Sequence, residues 1–146
     1  MENDNFFYFG YASNLKVSIL EQRIGDKIEN YLTGRLIDYG FRFNMKNPDG
    51  TARANIIASD SEDVFGVVYQ IDEKHRDLLL KSEPGYQLTT VTIETEQGNI
   101  PAYTFISLAD DEDIYPTKEY LNSILSGAKE HLLPAEYTDF IRSMAK

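Results

Sequence analysis

Runs of apolar residues, changes in their spacing and the polar breaks between them divide the chain into elements. Phe6–Tyr11 is dense in aromatics and reads as a buried strand, central to the fold. It breaks at the turn Ala12–Leu15. Lys16–Ile24 then resumes with helical spacing at Val17, Leu20 and Ile24, with Ser13 or Asn14 placed to cap that helix. Tyr31–Asn44 alternates loosely around Gly34 and Gly40, which predicts one long bent strand or two short ones. Asn47-Pro48-Asp49-Gly50 is a turn, because proline fixes φ and Asp-Gly tolerates the left-handed corner.

Ala54–Ala58 predicts a short strand and Val64–Ile71 a stronger one, β-branched and aromatic. Asp72 caps a predicted helix over Glu73–Lys81, with Leu78 and Leu79 facing inward. Gln87–Thr95 alternates strictly, and Gln97-Gly98-Asn99 predicts a hairpin turn into Ile100–Ile106. An acidic loop, Asp110–Asp113, leads through Pro116 to two closing helices, Thr117–Glu130 and Ala135–Ala145, the second with Pro134 at its start. Strands outnumber helices and most connections are hairpin-like, so the pattern predicts an α+β fold whose largely antiparallel sheet can close on itself. Neither an internal repeat nor a linker interrupts it.

A chain of 146 residues, 42% of them hydrophobic and spread along its length, makes one domain, residues 1–146, with a real core. The net charge of −10 argues against nucleic acid or an anionic membrane as partner, but not against a small anion met by local N–H donors. The absence of cysteine removes disulfides, thiolate catalysis and sulfur-ligated zinc together. The start Met-Glu-Asn-Asp-Asn lacks the basic and apolar regions of a signal peptide, and no apolar run reaches membrane-spanning length, so a cytoplasmic protein is expected. His75 and His131 have no ligand-spaced partners, and Asp110–Asp113 lacks the glycine and ligand spacing of a calcium loop, so no metal site is expected. No phosphate-loop or dinucleotide motif occurs.

Two stretches carry candidate chemistry. A strand, a tight turn and a helix start together aim backbone N–H groups at one point, near Tyr11–Leu15, which suits a carboxylate or a developing oxyanion. By pattern alone the plainer reading, a first strand running into a capped helix, is favoured. Glu83, between a helix and the alternating strand, is the candidate general base if its carboxyl points into the mouth of the sheet, where desolvation raises its pKa. A glutamate beside Pro-Gly is otherwise a solvated turn residue.

Tyr8-Phe9-Gly10-Tyr11-Ala12-Ser13-Asn14-Leu15 resembles the Y-G-S-N-L signature of the γ-glutamylcyclotransferase-like family, with Ala12 where glycine is usual. Gly66-Val67-Val68-Tyr69, Tyr115-Pro116-Thr117-Lys118-Glu119-Tyr120, Gly127-Ala128-Lys129-Glu130 and Leu133-Pro134-Ala135-Glu136-Tyr137 resemble its later motifs in order, so the similarity covers most of the chain. Glu83 and Tyr86 are similar to the family's catalytic Glu-Gly junction with its following tyrosine, with Pro84 as a departure. The resemblance implies a small mixed, mostly antiparallel β-barrel flanked by helices. It also implies a γ-glutamyl cyclotransferase that releases 5-oxoproline from a small anionic γ-glutamyl substrate with neither metal nor cofactor. Glu83 would then be the general acid/base. The substrate-binding set would be Tyr8, Phe9, Gly10, Tyr11, Ala12, Ser13, Asn14, Leu15, Tyr86 and Tyr120, while Gly66–Tyr69 belongs to the core and Tyr137 packs two helices together. The protein would be a monomer or homodimer. A non-catalytic binding member of the same fold is the alternative, kept open by Ala12 and Pro84.

Overall fold

The computed structural model describes residues 4–146. Most of the acidic start used in the signal-peptide expectation, Met1-Glu2-Asn3, lies outside the described residues. The elements are β1 (Asn5–Gly10), α1 (Val17–Ile24), β2 (Tyr31–Lys46), β3 (Ala52–Asp72), α2 (Arg76–Lys81), β4 (Gln87–Thr95), β5 (Gly98–Ile106), α3 (Lys118–Glu130) and α4 (Ala135–Ala145). The five strands close into a barrel in the order β1-β3-β2-β4-β5. All pairings are antiparallel except the last, where β1 meets β5 in parallel through Tyr8 and Tyr103. This is the mixed, mostly antiparallel barrel that the family resemblance implies, and the largely antiparallel sheet that the residue pattern predicts. Phe9, Phe41, Ile56, Tyr69 and Ile93 fill the core, and Ile124 and Ile141 lie on the buried faces of α3 and α4. No helix among the described residues is long and apolar enough to cross a membrane.

Tyr31–Lys46 is a single long strand, bent where Asp38 takes a left-handed φ of +64° between Ile37 and Tyr39. The two strands expected over 54–58 and 64–71 are halves of one, β3. The ladder steps from Ala58 opposite Tyr39 to Asp63 opposite Ile37, so residues 59–62 bulge out across from Asp38. Glu62 ties this bulge back to β2 through a two-pronged pair with Arg42, at 2.7 and 3.0 Å.

Asp72 does cap the next helix, accepting from the Lys74 N–H at 3.0 Å, but the first turn, Glu73–His75, is a 3₁₀ turn. The tighter turn shifts the phase of α2. Leu79 is therefore fully buried, whereas Leu78 is 48% exposed and does not face inward as expected. The hairpin turn also differs: Thr95 already pairs with Gly98, so the two-residue turn is Glu96-Gln97 and Gly98-Asn99 begin β5. The Tyr137 ring stands edge-on to Phe65, 5.0 Å between centroids, and so also ties α4 to β3.

Candidate active site

The chain leaves β1 at Gly10 and closes a single 3₁₀ turn, Ser13–Leu15, before α1 begins. Neither Ser13 nor Asn14 caps α1, whose N-cap is Lys16 without a side-chain bond. Their side chains are drawn elsewhere. Asn14 Nδ2 donates to the Tyr8 hydroxyl at 2.8 Å, while Arg23 Nη1, from the last turn of α1, donates to Asn14 Oδ1 at 2.5 Å and to Ser13 Oγ at 3.0 Å. The turn is also held from beneath. The Tyr69 hydroxyl donates to the Asn14 carbonyl at 2.7 Å, and His131 Nε2 lies 2.7 Å from the Leu15 carbonyl. The Leu15 N–H is used inside the turn, on the Ala12 carbonyl at 3.0 Å. Among the described residues, the N–H groups of Ala12, Ser13 and Asn14 meet no protein acceptor and stay available to a ligand. Ala12 has φ −125°, a negative value open to alanine, so its methyl group needs no left-handed backbone.

Across from this turn stands Glu83. It follows α2, and Pro84 with Gly85 at φ +89° turns the chain back so that the Tyr86 N–H reaches the Glu83 carbonyl. Proline followed by a glycine of positive φ is the pattern of a type II turn, so Pro84 shapes the junction instead of disrupting it. The Glu83 side chain is only 12% exposed and lies between two guanidiniums. Arg53 Nη2 from β3 is 2.6 Å from Oε2, and Arg23 Nη1 is 3.3 Å from Oε1. Burial pushes its pKa up, and the two arginines oppose that shift without cancelling it.

Glu83, Tyr8, Tyr11, Ala12, Ser13, Asn14, Ala54, Tyr86, Phe105 and Tyr120 line one pocket. Tyr120 sits in the first turn of α3, beside the Thr117 cap, and its hydroxyl accepts from the Ala54 N–H at 3.1 Å. Burial raises its phenol to about 12, so it is neutral and keeps a proton to donate. Burial also raises the phenols of Tyr8, Tyr11 and Tyr86. Eight of the eleven residues singled out from the sequence thus border one cavity. The side chains of Phe9 and Leu15 do not: both are fully buried in the core behind the turn. Gly10 acts by closeness, since a Cβ there would lie 3.0 Å from the Asn14 carbonyl oxygen.

Sequence reasoning missed Arg23, Arg53 and the support from Tyr69. An arginine near the end of an amphipathic helix, or in a strand beside a turn, carries the same signal as a solvated one. Tyr69 reads as core, which it also is. Among the described residues no group of three His, Cys, Asp or Glu side chains is arranged to hold a metal.

The AIG2-like family pattern matches residues 63–141, more than half of the chain. The chain is 29% identical to Gamma-glutamylcyclotransferase of Bos taurus over 154 residues, covering 98% of this chain and 80% of that protein. A solved structure of a Gamma-glutamyl cyclotransferase superposes with a TM-score of 0.85 at 25% identity, covering 96% of this chain and 88% of its own. YkqA from Bacillus subtilis superposes with a TM-score of 0.83 at 25% identity, over 97% of this chain and 54% of its own. With the pocket on its motif turn and more than half of its length matched, the chain belongs to the AIG2-like family.

Proposed function

We propose that this protein is a γ-glutamyl cyclotransferase that converts a γ-glutamyl amino acid or amine into 5-oxoproline and a free amine. The observation that carries this reading is the placement of a buried carboxylate, Glu83, across a single pocket from the open N–H groups of Ala12–Asn14. The substrate supplies its own nucleophile. Its α-amine attacks its γ-carbonyl, the γ C–N bond breaks, and two protons pass from the attacking nitrogen to the leaving one. The carboxylate therefore ends as it began.

Once the substrate is folded back on itself, the nucleophile is tethered and its effective molarity is high. The protein's tasks are then proton transfer and charge stabilisation. Glu83 takes a proton from the α-ammonium and returns one to the leaving nitrogen. Two guanidiniums beside Glu83 favour an uncharged amine over an ammonium at that spot, which helps the nucleophile form. The open N–H groups of the motif turn, with the neutral Tyr120 hydroxyl, meet the oxyanion or the α-carboxylate.

A binding module without turnover is the second reading. The pairing of both Glu83 oxygens with arginines favours it, since a saturated carboxylate is a weak base. A screen for 5-oxoproline release across γ-glutamyl dipeptides, γ-glutamylamines and glutathione separates the two. Release from at least one class supports the enzyme, and silence across the panel supports the binding module.

A further inference from the structure

Resting on the cyclotransferase reading above, we propose that Arg23 is a positioning residue for Glu83, and that Glu83 Oε1, the oxygen on the Arg23 side, is the one that exchanges protons with the substrate. The number of donors sets the two oxygens apart. A guanidinium terminal nitrogen carries two N–H groups. Arg23 Nη1 faces three acceptors: Asn14 Oδ1 at 2.5 Å, Ser13 Oγ at 3.0 Å and Glu83 Oε1 at 3.3 Å. Two hydrogens serve these three acceptors, so Oε1 receives the longest of the three bonds and competes for its hydrogen with Asn14 and Ser13.

Oε2 is in the opposite situation. Arg53 Nη2 meets it at 2.6 Å, and Arg53 is itself fixed by its Nη1 on the Pro84 carbonyl at 3.1 Å and by its position 4.7 Å over the Tyr86 ring. A guanidinium does not give up its proton in a protein, so an oxygen saturated by one is a poor proton acceptor. The two oxygens thus divide the work: Oε2 anchors the carboxylate, and Oε1 keeps a lone pair for chemistry. Oε1 also shares its donor nitrogen with Ser13 and Asn14. Arg23 therefore joins the base to the turn that would hold the reacting carbonyl, and sets their separation.

In the reaction one N–H bond of the α-ammonium breaks and an O–H bond forms at Oε1 before the new C–N bond is made. A second N–H bond breaks after it, and both protons pass through Oε1 to the leaving nitrogen as the γ C–N bond breaks. The other groups near the carboxyl are Arg53 from β3, Tyr8 from β1, Tyr11 beyond it, Tyr86, and Tyr120 from α3; none is a second carboxylate.

Three measurements on the full chain test this. In the free protein, ¹³C NMR titration of the Glu83 carboxyl, assigned by its loss in Glu83→Gln, should show a higher midpoint in Arg23→Gln than in the parent, because an opposing charge has been removed. The acidic limb of kcat/KM should move up with it, and Arg23→Lys, which keeps the charge, should restore most of both. A crystal structure with 5-oxoproline should place the lactam N–H on Oε1, with Oε2 still on Arg53. An unmoved midpoint and limb in a folded Arg23→Gln, or a lactam N–H on Oε2, would overturn the proposal while leaving the cyclotransferase reading intact. A parent that releases no 5-oxoproline overturns that reading, and with it the proton exchange at Oε1.

Discussion

Arg53 and Glu83 form the shortest of the contacts that fix the pocket's carboxylate, 2.6 Å between Nη2 and Oε2. The same guanidinium reaches the next residue's carbonyl, so it restrains both the head of Glu83 and the Pro84-Gly85 turn behind it. Arg53→Met keeps the stem beside Tyr86 and removes both restraints. Glu83 should then titrate higher, because burial is less opposed, and turnover near neutral pH should fall about tenfold or more. Raising the pH should restore part of the rate. A pH–rate profile checks this, and an unchanged profile would separate Arg53 from the chemistry.

Gly127 on α3 touches the motif turn from the other side. A Cβ there would lie 2.6 Å from Leu15 Cβ and 2.7 Å from the Lys16 backbone nitrogen, so something must move. Gly127→Ala should destabilise the fold by about 1–3 kcal/mol, the usual cost of overpacking. It should also lower turnover by displacing the turn. Thermal denaturation alongside an activity assay checks both, and a stable, fully active variant would show that α3 shifts freely.

Ala12 bears on how closely this site can match its relatives. Since its φ is negative, glycine brings no relief of backbone strain. Ala12→Gly should change kcat/KM by less than about threefold, or under ~0.7 kcal/mol of transition-state stabilisation. A large gain in steady-state kinetics would mean that the methyl group obstructs the ligand.

Much of this arrangement was legible in the sequence because local and global preferences agree there. Gln87–Thr95 alternates because one face lies on the core, and it forms β4 with those same bounds. Glu83, Tyr120 and the turn after Tyr11 come together as their motif order implies. Other features depend on pairing between distant segments. Residues 59–62 read as a polar break, yet they are carried inside β3 because the halves on either side pair with one long β2. Leu78 faces outward because a 3₁₀ turn, invisible in the hydrophobic spacing, rotates the short helix after it. Arg23 and Arg53 meet on Glu83 only once α1, β3 and the end of α2 are packed together.

The bulge itself gives a pH prediction. Hydrogen bonds from Arg42 and Ser59 hold the Glu62 carboxyl at about 2, below its ordinary value of 4.5. A carboxyl whose pKa is depressed on folding stabilises the native state above its unfolded pKa, and that contribution is lost as pH falls through the folded value. The difference in Tm between the parent and Glu62→Gln should therefore be greatest above pH 4.5 and shrink toward pH 2. Melting curves across that window check it, and a constant difference would mean that Glu62 stabilises the bulge by packing alone.

The central claim is that Glu83 moves protons in a lactam-forming reaction, and Glu83→Gln tests it most directly. Glutamine keeps the shape and loses the basicity. With a substrate on which the parent releases 5-oxoproline, the variant should bind with similar affinity by calorimetry and turn over at least about 10²-fold more slowly. A variant that turns over normally, or one whose whole loss lies in affinity, would contradict the account.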